Sequence, residues 1–215
     1  EFEDAAGSTR RIVVRQRGAD HSAWSVNAAK TEFRLLQRLH ALGLPTQRPV
    51  AVDTSGAILK SPCVILEYAE GAVRPEGLST ESTVIEMART MGRFHALDPA
   101  TSDLMFLPRQ QDMLDQWLNT QEQPSDDAER AAKIRAALRA YPAPSGPPQR
   151  SLLHSDFWIG NLVWREGHIV CVLDWEDAHI GSPESDVAKC RLELLLLFGE
   201  PAMRAFTSAY AAESA

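Results

Sequence analysis

Asp156, Asn161 and Asp174 combine residue types and spacing that could do chemistry. Asp156 stands in His154-Ser155-Asp156, directly after the apolar run Ser151-Leu152-Leu153. Asn161 follows in the same loop, and two strand-like runs, 162–166 and 169–173, separate it from Asp174-Trp175-Glu176. With Gly167-His168 as a two-residue type II′ loop, Glu166 pairs with Ile169. Continuing that register brings Asn161 opposite Asp174, and directly opposed side chains have Cβ atoms roughly 4.5–5.5 Å apart. Asp156 lies within reach of the same end. Two carboxylates and a carboxamide converging there form an oxygen-donor set suited to Mg²⁺, which takes one or two carboxylates and completes its shell with substrate phosphates. Asp and Asn also punctuate turns for reasons of backbone geometry alone, so their place in the fold decides between the two readings.

The elements that must position these residues fall into two parts. The first is strand-rich: Arg11 to Arg15, Val50 to Val52 and Ile58-Leu59 (a hairpin around Asp53 to Gly56), and Cys63 to Leu66 are short and rich in β-branched residues. One helix interrupts them, Lys30 to Leu42, with Leu35, Leu36, Leu39 and Leu42 at helical spacing and Gly43 and Pro45 as its stop. Residues 18–25 read as a loop. After residue 71 helices dominate: Thr83 to Leu97 with a stripe of Val84, Met87, Ala88, Met91 and Phe94, then Arg109 to Leu118 and Ala128 to Ala140. Residues 119–127 read as a surface loop and the proline-rich stretch 142–149 as a stiff connector. The expected division is a lobe of residues 1–67 and a larger one of residues 68–215.

Composition bounds the function. The chain has 215 residues, 22 basic against 29 acidic, for a net charge of −7, and 44% hydrophobic residues. That is an ordinary globular composition with enough length for a real core. The acidic balance argues against a nucleic-acid partner, which would call for a basic stripe. No apolar run approaches the roughly 20 residues that span a bilayer, and the start lacks a signal-peptide pattern, so no membrane partner is expected. Three dispersed cysteines, Cys63, Cys171 and Cys190, form neither a disulfide framework nor a zinc site. Cys63 and Cys171 lie in strand-like runs and read as core. A reducing cytoplasm is the expected compartment. The phosphate-loop and dinucleotide-binding glycine motifs are both missing from the sequence.

His-x-Asp followed after four residues by Asn matches the catalytic-loop pattern of kinases, in which the Asp takes the substrate hydroxyl proton and the Asn holds a metal. With Leu173-Asp174-Trp175-Glu176-Asp177-Ala178, Gly181, Pro183 and Asp186, the segment His154 to Asn161 resembles the aminoglycoside phosphotransferase family, a branch of the protein-kinase-like fold that includes choline and fructosamine kinases. The likeness is dense over residues 151–190 and collinear over 11–97. It implies an α+β fold of two lobes, ATP and Mg²⁺ as cofactors, and transfer of the γ-phosphoryl to an alcohol group of a small acceptor, aminoglycoside-, choline- or sugar-like. The acids Glu176, Asp177 and Glu184 weakly favour a cationic acceptor. Oligomeric state is left open.

Carried over residue by residue, Asp156 resembles the catalytic base and Asn161 and Asp174 the Mg²⁺ ligands. His154 resembles the histidine that braces the loop. Asp186 resembles the acid holding that loop from below, although a carboxylate in a first helical turn is also explained by the helix dipole. Glu32 shares a face with Leu35 and Leu39 and needs a partner there. The resemblance supplies the cation of the first strand, Arg15, pairing with Glu32 and holding nucleotide phosphates, with Arg17 as a competitor. Kinases usually carry Lys there, and Arg is not equivalent. Glu67 and Tyr68 fall at the family's interlobe hinge, where backbone groups meet the nucleobase. His95 reads as a hydrogen-bonded core residue. Ser155 and Ile159 stand where the family often has Gly and Pro. A strand and a glycine-rich loop of the family pattern are expected to be absent ahead of Arg11. Two competing readings remain: a non-catalytic, pseudokinase-like nucleotide-binding module, and a metal-dependent hydrolase using His154, Asp156 and Asp174.

Overall fold

Short β-branched runs at the N-terminus satisfy their backbone groups against one another. In the computed structural model, which describes residues 2–3, 9–16, 26–57, 59–74, 77, 79–119, 128–140 and 150–213, β1 (Phe2–Glu3) pairs antiparallel with β2 (Thr9–Arg10). Two short strands thus precede Arg11, where a strand of the family pattern was expected to be missing; residues 4–8 between them, like Arg17, residues 18–25, 120–127 and 141–149, lie outside the described residues. Next come β3 (Ile12–Arg15), α1 (Val26–Ala41), β4 (Pro49–Asp53) and β5 (Cys63–Glu67). They form a three-stranded antiparallel sheet in the order β3-β5-β4. The partner of β4 is thus Cys63–Glu67; Leu59 lies in a turn and Ile58 is outside the described residues.

Helix α1 packs on this sheet through Ala29, Leu35, Leu36 and Leu39, none more than 2% exposed. It starts four residues earlier than Lys30 because the apolar face extends back to Ala29. Its end is where the sequence put it: Gly43 adopts φ +71°, a left-handed conformation that glycine enters without a Cβ penalty.

After the sheet, α2 (Thr80–His95) is capped by Ser79, whose side chain accepts from the Ser82 N–H at 3.1 Å. Its stripe of Val84, Met87, Ala88, Met91 and Phe94 is wholly buried. Helices α3 (Gln110–Asn119) and α4 (Ala128–Ala140) follow, touching where Arg135 lies 4.9 Å over the Trp117 ring. Then β6 (Ser151–Leu153), β7 (Leu162–Arg165), β8 (His168–Val172) and β9 (His179–Gly181) form two antiparallel pairs, β6 with β9 and β7 with β8. Helices α5 (Glu184–Phe198) and α6 (Glu200–Glu213) close the described chain, and α6 packs along α2. Along α6, Ala202 and Phe206 are buried and Ala209 and Tyr210 pack beside them, at helical spacing. No helix of the described residues is long and apolar enough to cross a membrane.

The β7–β8 ribbon departs from the expected register. Its loop is Glu166-Gly167, with φ +52° and +81°, the two left-handed residues of a type I′ turn. Arg165 therefore pairs with His168 and Trp164 with Ile169. A bulge then intervenes on β8, and Val163 pairs with Cys171 and Leu162 with Val172. Centring the turn one residue earlier shifts each pairing next to it by two positions, and the extra residue on β8 restores one of them. All three cysteines are free and buried, Cys190 as well as Cys63 and Cys171.

Candidate active site

The loop from β6 to β7 carries His154, Asp156 and Asn161, and α5 and the end of the β7–β8 ribbon both hold it. From α5, Asp186 accepts the His154 N–H at 2.7 Å with one oxygen and the Ser155 N–H at 2.9 Å with the other. Asp186 is 3% exposed and also accepts from His95 Nε2 at 3.3 Å. Burial alone would raise its pKa; the His95 and His154 hydrogen bonds hold it below the ordinary 3.8. Asp186 stands in the first turn of α5 and at the same time holds two backbone N–H groups of the loop. His95, whose Nδ1 meets the Tyr210 hydroxyl at 2.7 Å, is the hydrogen-bonded core residue its sequence context suggested.

From the ribbon, the Leu173 carbonyl accepts from His154 Nε2 at 2.8 Å. His154 Nδ1 accepts the Asp156 backbone N–H at 3.2 Å. These partners define the neutral Nε2–H tautomer. The ring is 2% exposed, with its centroid 4.5 Å from that of Trp175. Burial pushes its pKa below 6.5 against the pull of Asp186. His154 is a scaffold for the loop, and its ring nitrogens are spoken for.

Asp156 receives one donor on each oxygen. Asn161 Nδ2 donates to Oδ2 at 2.9 Å, and also to the Asp156 carbonyl at 2.9 Å. Lys189 Nζ, a residue singled out by no sequence motif, donates to Oδ1 at 2.8 Å. Burial would raise the Asp156 pKa; the Lys189 and Asn161 hydrogen bonds win and hold it below 3.8, so the group is a carboxylate at neutral pH.

Asn161 does not face Asp174 directly, which corrects the expected register. Across the ribbon's end, Asn161 meets Leu173, whose N–H donates to the Asn161 carbonyl at 2.8 Å. Asp174 comes one residue later, turned out of the strand at φ +65°. The two remain neighbours, offset by one position. The Asn161 amide nitrogen donates twice to Asp156, so its carboxamide oxygen takes no part in those two bonds. That carboxamide oxygen and the Asp174 carboxylate are hard donors of the kind Mg²⁺ accepts beside phosphates, so the residues fit the ion. Among the described residues, no cluster of three or more His, Cys, Asp or Glu forms a metal cage.

Arg15 arrives from the three-stranded sheet. Its guanidinium pairs with Glu32, buried on α1, with Asp174, and with Glu176 at 3.1 Å. Burial would lower its pKa, but Glu32, Asp174 and Glu176 together raise it further. Glu176 thus faces Arg15, and Glu184 accepts from the Ser182 hydroxyl. At the hinge, the Glu67 carbonyl accepts from Gln47 Nε2 at 3.1 Å, and the Tyr68 N–H donates to the Arg11 carbonyl at 3.0 Å. Arg11 also stacks over the Tyr68 ring at 4.3 Å. These two backbone groups are spent on joining the chain segments. Beside the loop, a cavity of about 640 Å³ is lined by Trp158, Ile159 and Gly160 together with Thr83, Leu197 and Phe198.

The model of the phosphotransferase enzyme family, APH, matches residues 2–214. Acyl-CoA dehydrogenase family member 10 of Mus musculus is 25% identical over 209 residues, which are 92% of this chain and 20% of that protein. The chain thus spans about a fifth of that relative's length. Among solved structures, an aminoglycoside-3'-phosphotransferase of type VIII superposes with a TM-score of 0.68 at 18% identity, over 94% of this chain and 76% of its own. The streptomycin–ATP ternary complex of APH(2")-IIa gives 0.57 at 20% identity, over 94% and 72%. At those identities the likeness shows the fold, a kinase-like α+β architecture. The family match extends over nearly all of the chain: the protein belongs to the APH phosphotransferase enzyme family.

Proposed function

We propose that the protein transfers the γ-phosphoryl group of ATP to a hydroxyl of a small-molecule acceptor. The observation that carries the reading is the Asp156 carboxylate, held by Asn161 on a braced loop whose far end adjoins Asp174 and, through it, Arg15. Phosphoryl transfer asks little covalent chemistry of the protein; positioning and charge neutralisation do most of the work. Residues 1–67 would serve as the nucleotide lobe and 68–215 as the catalytic lobe.

In the reaction, the acceptor oxygen forms a bond to the γ-phosphorus while the bond from that phosphorus to the β,γ-bridging oxygen breaks, releasing ADP. Asp156 orients the acceptor hydroxyl and receives its proton. Arg15 binds phosphate oxygens, anchored by Glu32. His154 and Asp186 keep the loop in place. Asn161 and Asp174 would hold Mg²⁺, which supplies neutralisation of phosphate charge. Glu67 and Tyr68 border the nucleobase end. The cavity beside Trp158 adjoins the reactive loop and suits the acceptor. Relatives named for aminoglycosides make those compounds the first to try.

Arg15 in the place of a lysine favours a second reading, a nucleotide-binding module without turnover. The test is nucleotide consumption by the purified chain with Mg²⁺, ATP or GTP, and a panel of hydroxyl compounds, alongside thermal shifts with and without Mg²⁺. Acceptor-stimulated turnover supports the kinase. Nucleotide binding without turnover across the panel supports the module. A Mg²⁺-dependent hydrolysis of phosphate-free esters would revive the hydrolase.

A further inference from the structure

Lys189 lies three residues after Asp186 on α5, so the two side chains share one face of that helix. Together they grip the loop at Ser155 from both polarities. Asp186 takes the Ser155 N–H at 2.9 Å, and Lys189 Nζ donates to the Ser155 carbonyl at 2.6 Å. The same ammonium continues to Asp156 Oδ1 at 2.8 Å. Ser155 needs such a grip, because its φ of +71° is a left-handed conformation that an L residue with a side chain adopts only under outside constraint. With Asn161 on Oδ2 and Lys189 on Oδ1, the Asp156 carboxylate has both oxygens fixed and its plane set.

We propose that Lys189 is a positioning residue for Asp156. It holds the strained Ser155 peptide and orients the carboxylate that meets the acceptor hydroxyl. The proposal rests on the kinase reading for its rate consequence, but its geometric content does not. The Lys189 side chain is half exposed, so replacing it leaves no buried charge and disturbs no core.

The test pairs two measurements on Lys189→Met and Lys189→Arg. The first needs no acceptor: amide hydrogen exchange of the peptide spanning residues 152–158. Loss of the Lys189 donor frees the Ser155 carbonyl, so exchange there speeds up in the Met variant and returns toward wild type with Arg. The second is steady-state turnover with Mg²⁺ and ATP, using whichever hydroxyl compound wild type accepts. Misplacing a reacting group typically lowers rate about 10- to 100-fold, and here that loss falls on kcat with the nucleotide KM within about twofold of wild type. Partial recovery in the Arg variant completes the pattern. Unchanged exchange in the Met variant overturns the proposal. So does an unchanged or raised kcat, which would make Lys189 a bystander or a latch. Should wild type turn over nothing, the kinase reading fails and the exchange measurement alone decides whether Lys189 holds the loop.

Discussion

Arg15 on β3 donates to Asp174, 159 residues further along the chain. The same guanidinium pairs with Glu32 on α1, so one side chain ties the three-stranded sheet, its helix and the end of the β7–β8 ribbon. Glu32 is 3% exposed, and a buried carboxylate is tolerable only with a cation beside it. This explains both why α1 carries an acid on its apolar face and how the two halves of the site come into register.

Removing that cation should therefore damage folding as well as nucleotide binding. Arg15→Met is expected to lower stability by about 3 kcal/mol, because a buried carboxylate loses its partner. Arg15→Met combined with Glu32→Leu should recover part of the stability and none of the nucleotide affinity. Urea unfolding and nucleotide titration read the two effects separately. Additive losses in the double variant would show that the pair does not interact.

Asp156→Asn keeps the size of the side chain but cannot accept the acceptor proton, and its amide nitrogen must face one of the two donors, Asn161 Nδ2 or Lys189 Nζ, so one of those hydrogen bonds is lost as well. Turnover should fall by about 10² to 10⁴-fold, the usual contribution of general acid–base catalysis, while nucleotide binding changes little. An Asn variant within threefold of wild type would place the base elsewhere.

Acid should loosen the site through His154. Its folded pKa is depressed by burial, whereas the unfolded chain takes up a proton near 6.5. Below that pH the unfolded state binds more protons, so stability declines on acidification. Asp186, also depressed, adds a further loss as pH falls below its unfolded value of 3.8. Unfolding measured from pH 7.5 to 5 should show declining stability, and His154→Gln should flatten that slope while lowering the plateau. An equally steep slope in the variant would assign the effect to other groups.

The type I′ turn offers a stabilising change. Glu166 sits at φ +52° ahead of Gly167, and Asn tolerates that conformation better than Glu. Glu166→Asn should raise stability by about 0.5–1 kcal/mol without altering turnover. A loss of stability would mean that Glu166 makes a contact worth more than its backbone strain.

The packing of α6 on α2 is tested at Phe206, which is fully buried. Phe206→Ala should cost about 3–5 kcal/mol, the usual penalty for an aromatic core truncation. A change below 1 kcal/mol in thermal or urea unfolding would show that α6 is a detachable appendage.

Much of this was legible in the sequence because local physics dictated it. The stripes of α1 and α2, the glycine stop after α1 and the β-branched runs each announce an element through spacing, and the dense segment from His154 to Asp186 carries the resemblance to the family. The β7–β8 ribbon shows where that reasoning stops. Gly167 located a turn correctly, but nothing local distinguished Gly167-His168 from Glu166-Gly167 as its centre, and a bulge on β8 has no signature in a run of β-branched residues. Asn161 and Asp174 consequently came out adjacent, though not opposite. Lys189 was invisible for a different reason: its meaning depends on which way α5 faces and how close the loop passes. The identities of the chemical groups were thus written in the chain. Their mutual orientation, from Arg15 on Asp174 to Lys189 on Asp156, was settled only when distant segments packed, since hydrogen bonds between residues far apart in sequence exist only once burial has brought their backbones together.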